Sequence, residues 1–539
     1  MSEIKRVFKV NGKPFFPIGA QSCNSSGYNE KESETAFKVV KLVHGNTLEI
    51  PVYWDRVEPK EGKFDFTAVD ALLASARRYD VKLILLWFAS WKNGNMDYTP
   101  SWVKNNPKRF KRSISQTGHD IWDLSPHCKA NLEGDKKAFV ALCKHLKAKD
   151  SIDQTVIALQ IENEQGLLGS DRDYGPEAQA EFDSPVPAVI MTSMKKAGKG
   201  RIYDIWQKSG GKKSGTWPQV FGTDAGELMT AWSLASFVDN IAEAAKKVYN
   251  IPMYINVWMM EQNWWSRPGE SYPAGGAVTK TLDIYKWVAP NLDLIAPDNY
   301  QLDSKGYEAV CANYSREDNP LFMPESLGDK YLFRAIAEYN SLGNFFFGAE
   351  YMVDANGDIR PGSQALVNNF HSVASVIPLL LKYQGTGKIH SIIQEEQLFT
   401  DILDLGDYEG LVEYGEKFSM GAGTDWRHME VSWLGNKSTV KPNPACGLVI
   451  QAGKNEFYLV GSNYRLFLRP KLTMENLRAP VMMADGTAKT FAYIDTIDEG
   501  HFDKNGVFVA DRRRNGDEFG HRGLWVTSDI GVLRVITCD

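Results

Sequence analysis

Short apolar runs alternate with longer amphipathic stretches from about Phe15 to Glu350. Short apolar runs separated by helical patterns are typical of parallel strands that are buried on both faces. The runs that predict strands are Phe15–Ala20, Thr47–Val52, Lys82–Trp87, Thr155–Ile161, Met253–Trp258, Leu292–Ala296, Leu321–Pro324 and Asn344–Phe347. The pattern therefore predicts eight β–α units in sequence.

Helical periodicity fills several of the gaps between these runs. The predicted helices include Val69–Tyr79, Lys136–Lys147, Ala231–Val248 and a closing helix at Ala365–Tyr383. Eight such units fit a closed (β/α)₈ TIM barrel better than an open doubly wound sheet, and the first β–α turns lack the glycine-rich phosphate fingerprint of nucleotide-binding folds. The connection after the fourth run is long, about Gly166 to Trp232, and such insertions usually shape the substrate site.

The pattern changes in the last quarter of the chain. From Gly410 to Asp539, short alternating runs such as Gly447–Gln451 and Leu533–Thr537 are separated by Gly, Asn and Asp. Alternation with turn residues at these spacings is typical of antiparallel strands. We therefore predict a barrel domain over residues 1–387 and a smaller, β-sandwich-like antiparallel domain over residues 388–539.

Composition excludes several classes of partner. Lys and Arg number 61 and Asp and Glu 67, so the net charge is −6, and no general attraction to nucleic acid or anionic lipid is expected. No apolar run approaches the length of a membrane span, and Met1–Lys9 is too polar for a signal peptide. Both a cytoplasmic protein and an exported one whose signal has been removed fit the sequence, and a homo-oligomer is allowed.

The six cysteines are scattered along the chain, without a CxxC pair or a histidine-rich spacing. A disulfide framework or a zinc site is therefore not expected, and the thiols are interpreted as free. We predict neither a metal nor an organic cofactor.

The strongest local motif is QIENEQG at residues 160–166, which directly follows the fourth apolar run. Side chains just past the carboxyl end of a barrel strand point into the catalytic cup. A carboxyl group at that place can protonate a leaving oxygen when its surroundings raise its pKa. Although a charged surface turn is the alternative for so short a motif, its place at a strand end favours Glu164 as the general acid/base, with Asn163 near a sugar 2-hydroxyl.

A second glutamate, Glu325, ends the seventh run in the motif NPLFMPES at residues 319–326. A carboxylate nucleophile needs a rigid, desolvated support, which a strand end supplies. Strands four and seven face each other across a barrel mouth, so the two glutamates can approach to the ~5–5.5 Å of retaining glycosidases instead of the ~6.5–9.5 Å of inverting ones. A helix-starting glutamate is the alternative for Glu325, and its pairing with Glu164 favours the nucleophile.

A third motif, W-x₃-EP-x₂-G-x-FDF, runs from Trp54 to Phe66 after the second run. Its Pro/Gly turn predicts a tight loop that leads to a helix N-terminus before Val69. We interpret Glu58 in this motif as fixing the loop and not as a catalytic residue.

Together these motifs resemble the clan A (β/α)₈ retaining glycosidases and, within that clan, glycoside hydrolase family 35, the β-galactosidase family. The segments that carry the resemblance are Trp54–Phe66, Ala158–Gly166 and Asp171–Tyr174. The C-terminal part is similar to the β domain of a bacterial branch, through Gly447–Gln451, Glu456–Phe457 and Arg514–Glu518. The resemblance implies the same two roles, acid/base for Glu164 and nucleophile for Glu325.

The chain departs from the family pattern at two places that contact the non-reducing sugar. Family members carry a Cys-Ala-Glu-Trp segment after the third strand, whose glutamate holds galactose hydroxyls. Here the matching stretch is Phe88–Asn93, with Ser90 in place of that glutamate. A sugar-binding tyrosine after the second strand is replaced by Pro51, with Tyr53 nearby. The type of reaction survives these changes, whereas galactose specificity is left open.

Further polar and aromatic residues follow other predicted strands and are candidate substrate contacts. They are Trp91, Lys92 and Asn93 after the third run, Asn256 and Trp258 near the end of the fifth, Asp298 and Tyr300 after the sixth, and Glu350 and Tyr351 after the eighth. We expect Tyr300 to hydrogen bond the nucleophile and Trp258 to stack on a sugar. For each of them, packing or loop capping is the alternative.

These observations predict an exo-acting retaining β-glycoside hydrolase, most similar to β-galactosidases, that takes a glycoside or oligosaccharide and works through a covalent glycosyl-enzyme. One alternative is a transglycosylase that moves a glucosyl unit between β-linked gluco-oligosaccharides. A second is a non-catalytic carbohydrate-binding protein, which would have no need of both glutamates. The sugar and the linkage stay open.

Overall fold

In the computed structural model, eight parallel strands form a barrel, and the structure describes residues 6–262, 265–395, 400–414, 444–471, 481–482, 488–489, 492–518 and 523–538. We label the barrel strands β1 to β8: Ile18–Gln21, Thr47–Tyr53, Lys82–Lys92, Val156–Asn163, Met253–Trp258, Leu294–Asn299, Glu325–Ser326 and Asn344–Phe347. Each of β1 to β6 pairs in parallel with the next strand, and β8 pairs with β1. A parallel bridge between Met323 and Asn344 closes the ring between β7 and β8. The predicted (β/α)₈ barrel is confirmed.

Helices connect the strands on the outside of the barrel. The helices that follow β1 to β8 in order are Glu30–Leu42, Thr67–Tyr79, Lys129–Asp150, Ala225–Lys246, Leu282–Val288, Ser304–Tyr314, Leu332–Ala337 and the pair Gln364–Ser375 and Ile377–Tyr383. Shorter helices at the loops are Trp54–Val57, Ser101–Lys104, Pro176–Phe182, Ala188–Ala197, Arg201–Lys208 and Trp217–Phe221. The last four lie in the long connection after β4.

Two elements differ from the sequence prediction because of proline. The seventh strand is Glu325–Ser326 and not Leu321–Pro324, since Pro324 has no amide hydrogen for a ladder. The predicted closing helix is divided at Val376, two residues before Pro378, into the pair given above. Proline in a helix interior removes a backbone hydrogen bond, and here it starts a new helix.

The first strand begins at Ile18, three residues later than predicted, because the preceding segment forms a separate hairpin. Lys13–Phe15 pairs in antiparallel fashion with Phe8–Val10. The Phe8 ring lies 5.5 Å from that of Phe322, among the buried residues inside the barrel. The hairpin thus contributes to the apolar filling of the barrel interior.

The C-terminal part forms two antiparallel sheets, as predicted. One has the strand order Ile389–Ile393, Cys446–Gln451, Glu456–Ser462, Val532–Thr537, Ile494–Phe502, Phe508–Arg513. The other has the order Thr400–Leu405, Tyr408–Tyr414, Tyr464–Pro470, Leu524–Val526, and a short pair joins Val481–Met482 to Ala488–Lys489. The division of the chain between residues 387 and 388 falls just before the first of these strands and stays a prediction.

The six-stranded sheet uses both of its faces, because alternate side chains of a strand point in opposite directions. Val449 and Leu459 pack into the core shared with the four-stranded sheet. Their neighbours Leu448 and Val460 join the large core of the barrel and its helices. The β domain is therefore packed directly against the barrel.

Among the described residues no single helix is both long and apolar enough to cross a bilayer. Only Pro361–Ser375 and Ile377–Tyr383 taken together reach that limit, with a 58° bend between them.

Candidate active site

Glu164 lies one residue beyond β4, on a backbone bend at the carboxyl end of the barrel. The residues on either side of Asn163 adopt left-handed backbone conformations, with φ of 59° at Glu162 and 49° at Glu164. Such conformations cost about 1–2 kcal/mol per non-glycine residue and persist only where neighbours hold them. Here the Glu162 carboxylate accepts the Trp91 amide at 2.8 Å, and the Asn256 side chain accepts the Glu164 amide at 2.8 Å.

Glu325 begins β7 on the opposite side of the same cup. Tyr300 donates a hydrogen bond of 2.6 Å from its hydroxyl to Oε1 of Glu325, and the Gln21 side chain is a further hydrogen-bond partner. The Glu325 side chain is half-buried, whereas Glu164 is buried. The nucleophile candidate is thus open to the cup and held in place by neutral donors.

One carboxylate oxygen from each of Glu164, Asp298 and Glu325 lies within 4.8 Å of the others. Retaining glycosidases hold their two carboxyl groups ~5–5.5 Å apart, and inverting ones ~6.5–9.5 Å apart. The separation of Glu164 and Glu325 leaves no room for a water molecule between a sugar and the base. The geometry is of the retaining type.

The two glutamates differ in what surrounds them. Burial raises the pKa of Glu164 to about 7, and the negative charge of Glu325 adds to the rise, while Lys92 and a hydrogen bond with Asp298 oppose it. Burial also raises the pKa of Glu325, against the charge of Lys92 and the hydrogen bonds from Tyr300 and Gln21. Because two neutral donors stabilise the anion of Glu325, we assign the negative charge to Glu325 and the proton to Glu164.

Asn163, Asn256 and Asp298, three of the predicted contacts, form a buried network behind the glutamates. Asn256 donates to Asp298 Oδ2 at 2.7 Å and to Asn163 Oδ1 at 3.4 Å. Burial, followed by the charges of Glu325 and Glu164, raises the pKa of Asp298 well above its ordinary value. The hydrogen bonds of Asn256 to Asp298 and Asn163 hold this network together, and it positions Glu164 from below.

Four further predicted contacts lie at the rim of the cup. The Lys92 ammonium stands 5.0 Å from the centre of the Phe88 ring and donates to the side chain of Asn93. Asn93 in turn accepts the Asn163 amide at 3.3 Å. Trp258 is half-buried at the end of β5, in register with Asp298 on β6. Lys92, Asn93, Trp258 and Tyr300 are thus brought to the same cup.

Trp91 does not belong to that group, which corrects the prediction of a sugar contact. Its side chain has no exposed surface and packs edge-on against Phe237 of the helix after β4, with ring centres 4.8 Å apart. The side chain therefore lies in the layer between the barrel and the helices, where a sugar cannot reach it. Ser90 beside it is equally buried and donates to Asp135, away from the cup.

Glu350 and Tyr351 follow β8, as predicted, but their surroundings are those of a loop anchor. Glu350 Oε2 accepts the Cys23 amide at 2.8 Å, and Oε1 accepts the Ser26 hydroxyl. Tyr351 is 66% exposed at the outer edge of this cluster. Glu350 thus joins the end of β8 to the loop after β1, and its two oxygens are already occupied.

The sequence reasoning missed three residues beneath the glutamates: Gln21, Glu49 and Tyr254. Glu49 lies within the predicted second strand, and the signal that marks it is an acidic residue in the middle of an otherwise apolar run. Gln21 directly follows the predicted first run, where the carboxyl-end rule also applies. The interpretation of Glu58 is confirmed, since its carboxylate accepts the Gly62 amide at 2.7 Å and the Trp54 indole N–H at 3.2 Å.

A cavity of about 600 Å³ lies between the loop after β7 and the C-terminal domain. The barrel lines it with Leu327–Lys330 and with Ser363, Leu366 and Asn369, and the β domain lines it with Cys446, Asn463 and Ser528. Since Leu327 is two residues from Glu325, the β domain lies near the carboxyl end of the barrel, where substrates bind in this fold.

Two family models match parts of the chain. A β-galactosidase model, that of glycoside hydrolase family 42, matches residues 24–206, which include Glu164 and its strand. A domain of unknown function, DUF5597, matches residues 366–526. No curated protein matches the chain in sequence. The matched β-galactosidase model supports a clan A glycoside hydrolase, while family 35 is not the family whose model matches.

Solved structures that resemble the chain are glycosidases with low sequence identity. The catalytic domain of β-amylase from Paenibacillus polymyxa has a TM-score of 0.47 and 14% identity, over 66% of this chain and 97% of that one. A β-galactosidase from Rahnella sp. R3 has 0.47 and 14%, over 72% and 59%. The family 42 β-galactosidase Gan42B of G. stearothermophilus has 0.44 and 16%, over 69% and 57%. The chain thus spans less than two thirds of these two β-galactosidases.

Proposed function

We propose that this protein is a retaining β-glycoside hydrolase that releases the non-reducing terminal sugar of a β-glycoside. The observation that carries the proposal is the approach of Glu164 and Glu325 to within 4.8 Å from opposite walls of one barrel cup. The difference in their surroundings supports it further, since a protonated acid and a charged nucleophile are both needed at the start of the reaction.

In the first step, the Glu325 carboxylate attacks the anomeric carbon from one face of the sugar. The bond between that carbon and the glycosidic oxygen breaks as Glu164 transfers its proton to the departing oxygen. The product is a covalent glycosyl ester on Glu325 and a free aglycone alcohol. With a pKa of about 7, about half of the Glu164 side chains hold a proton at pH 7 and more do so below it, which supplies the acid that this step requires.

In the second step, Glu164 acts as the base. It removes a proton from a water molecule that attacks the anomeric carbon, which breaks the ester bond and restores the Glu325 carboxylate. Once the ester has formed, Glu325 has lost its charge, so its repulsion no longer adds to the effect of burial on the pKa of Glu164. Glu164 is then the stronger acid and is ionised for its role as base.

The residues around the pair have assignable tasks. We assign substrate contacts to Asn163, Lys92, Asn93 and Trp258, with the Trp258 ring as the stacking surface. Tyr300, Asn256 and Asp298 hold the two glutamates. Glu350 and Tyr351 shape the loop at the end of β8.

We infer a β-galactoside-like substrate, which the matched β-galactosidase model supports, and family 35 stays the finer hypothesis within the clan. A panel of nitrophenyl β-glycosides and β-linked disaccharides identifies the sugar. A 2-deoxy-2-fluoro glycoside of the active sugar should then label Glu325, as read by peptide mass spectrometry. Glu325→Gln should abolish turnover and labelling with the fold intact. Near-normal hydrolysis by Glu325→Gln, or a label on another residue, would overturn the proposal.

A second candidate, glycosyl transfer, is favoured by one observation. Ser90, at the position where family 35 members hold galactose hydroxyls with a glutamate, is buried and bonded to Asp135. The subsite for the non-reducing sugar therefore contacts its sugar through other groups than in family 35. This allows a glucosyl donor, and a sugar hydroxyl can then accept the glucosyl unit in place of water. Product analysis with and without added acceptor sugars separates the two reactions: free monosaccharide alone in both cases rejects transfer.

A further inference from the structure

A glutamate lies inside the barrel below the catalytic pair. Glu49 is at the centre of β2 and is fully buried. Its neighbours Leu48 and Ile50 point outward into the helix-facing core, so Glu49 points into the barrel. An acidic group without a counter-charge costs several kcal/mol to bury unless it stays neutral or is hydrogen bonded. Its presence among apolar residues therefore calls for an explanation.

The contacts of Glu49 lead to the nucleophile candidate. Gln21 on β1 is the register partner of Glu49 and donates from Nε2 to Glu49 Oε2 at 3.3 Å. Tyr254 on β5 donates from its hydroxyl to Glu49 Oε1 at 3.3 Å. Gln21 is also a hydrogen-bond partner of Glu325. A primary amide nitrogen carries two hydrogens, so one Gln21 side chain can serve both carboxyl groups.

The charged and titratable groups that face Glu49 come from several strands. Glu325 on β7 and Asp298 on β6 face it as acids, and Tyr254 faces it from β5. On the β3 side its register partner is the apolar Ile84. Burial, with the charge of Glu325, raises the pKa of Glu49 well above its ordinary value, while the bonds from Gln21 and Tyr254 oppose the rise. The two hydrogen bonds from Gln21 and Tyr254 thus compensate part of the cost of burying Glu49 beside Glu325.

We propose that Glu49 is a positioning residue for the nucleophile, acting through Gln21. The Glu49 carboxyl accepts one amide hydrogen of Gln21 and so keeps the nitrogen, and not the oxygen, of that amide toward Glu325. A flipped amide would present its carbonyl oxygen to Glu325 and would destabilise the anion. This inference rests on the proposed role of Glu325 and adds two residues that support it.

The test compares variants that keep or remove the acceptor. Glu49→Gln retains a carbonyl oxygen for Gln21, and kcat should stay within about threefold of wild type. Glu49→Leu removes the acceptor, and kcat should fall about 10-fold or more while KM changes by less than about threefold, since a bond to a charged group is lost. The acid limb of the kcat/KM profile should move to higher pH, because Glu325 loses a donor that stabilises its anion.

Coupling between the two residues separates positioning from general stabilisation. Gln21→Leu should reproduce the fall in kcat and the shift of the acid limb. The double variant Glu49→Leu/Gln21→Leu should be no worse than the poorer single variant, because both act on the same bond. If Glu49→Leu does not fold, Glu49→Asp, which withdraws the acceptor by one methylene, should show the same shift with a smaller loss.

Glu58 provides a matched control, since it is a buried glutamate in the loop after β2 that bonds Trp54 and Gly62. Glu58→Leu should lower the melting temperature without moving the acid limb. A wild-type kcat in Glu49→Leu, or losses that multiply in the double variant, would overturn the inference. Labelling of Glu325 in the wild-type enzyme is measured first, so failure of the proposed function is seen separately from failure of the Glu49 role.

Discussion

The Tyr300 hydroxyl donates a 2.6 Å hydrogen bond to Glu325 Oε1, joining the carboxyl end of β6 to that of β7. This bond stabilises the charged form of Glu325 and fixes one of its oxygens. In the proposed mechanism, the other oxygen attacks the sugar. The bond from Tyr300 therefore both orients the Glu325 side chain and favours its anion.

Replacing Tyr300 with phenylalanine tests this relationship. A hydrogen bond to a charged group contributes about 1.5–3 kcal/mol, so kcat/KM should fall about 10- to 100-fold. Because the bond favours the anion, its loss raises the pKa of Glu325, and the acid limb of the pH–rate profile should move to higher pH. A profile that coincides with that of the wild type after scaling would show that the bond has no role in ionisation.

Removal of the acid should depend on the leaving group. Glu164→Ala cannot protonate the departing oxygen, so substrates with poor leaving groups should lose about 10²–10⁴-fold in kcat/KM. Dinitrophenyl glycosides need little protonation, and their first step should be much less affected, leaving breakdown of the glycosyl ester rate-limiting. Stopped-flow measurement of the phenol burst compares the two steps. Equal losses for both classes of substrate would argue against Glu164 as the acid.

The raised pKa of Glu164 also has a consequence for stability. With a pKa of about 7 when folded and about 4.3 when unfolded, the folded state holds the extra proton between those pH values. The contribution of Glu164 to stability is thus undiminished below about pH 4 and is lost as the pH rises through 7. Glu164→Gln does not ionise, so its melting temperature should exceed that of wild type at pH 8, by an amount equivalent to about 3–4 kcal/mol, and approach it at about pH 4.

Thermal unfolding at the two pH values checks this prediction. Glu58 is a buried glutamate away from the cup whose carboxylate accepts the Gly62 amide and the Trp54 indole N–H, so Glu58→Gln serves as the control and should show no gain at pH 8 because it weakens those hydrogen bonds. An equal melting temperature of wild type and Glu164→Gln at pH 8 would contradict the raised pKa.

The corrected place of Trp91 predicts an effect on stability and not on binding. Trp91→Phe leaves a smaller ring in the layer next to Phe237, and loss of buried apolar volume should lower stability by about 1–3 kcal/mol. KM for the active glycoside should stay unchanged, since no sugar reaches this side chain. Trp258→Ala provides the contrast, with a raised KM and little change in melting temperature. The reverse pattern would return Trp91 to the substrate site.

Much of the barrel could be predicted because buried parallel strands appear in the sequence as short apolar runs. Apolar runs such as Thr47–Val52 and Met253–Trp258 match the observed strands to within one residue. Prediction failed where proline decides the hydrogen bonding, as at Pro324 and Pro378. At these positions the apolar pattern continues, although the backbone cannot continue the same hydrogen bonding through proline. Periodicity alone therefore places the strand or helix wrongly.

By itself, the sequence determined which glutamates follow strands four and seven, because strand order and the carboxyl-end rule apply to any closed barrel of this kind. Only the tertiary structure decided which neighbours face them. Trp91 and Lys92 are adjacent in the chain, yet one is sealed between strand and helix and the other stands over Phe88 at the cup. Glu49 reaches Glu325 through Gln21 from a position 276 residues away. Side-chain direction and contacts across the barrel depend on the twist and closure of all eight strands, and no local pattern records them.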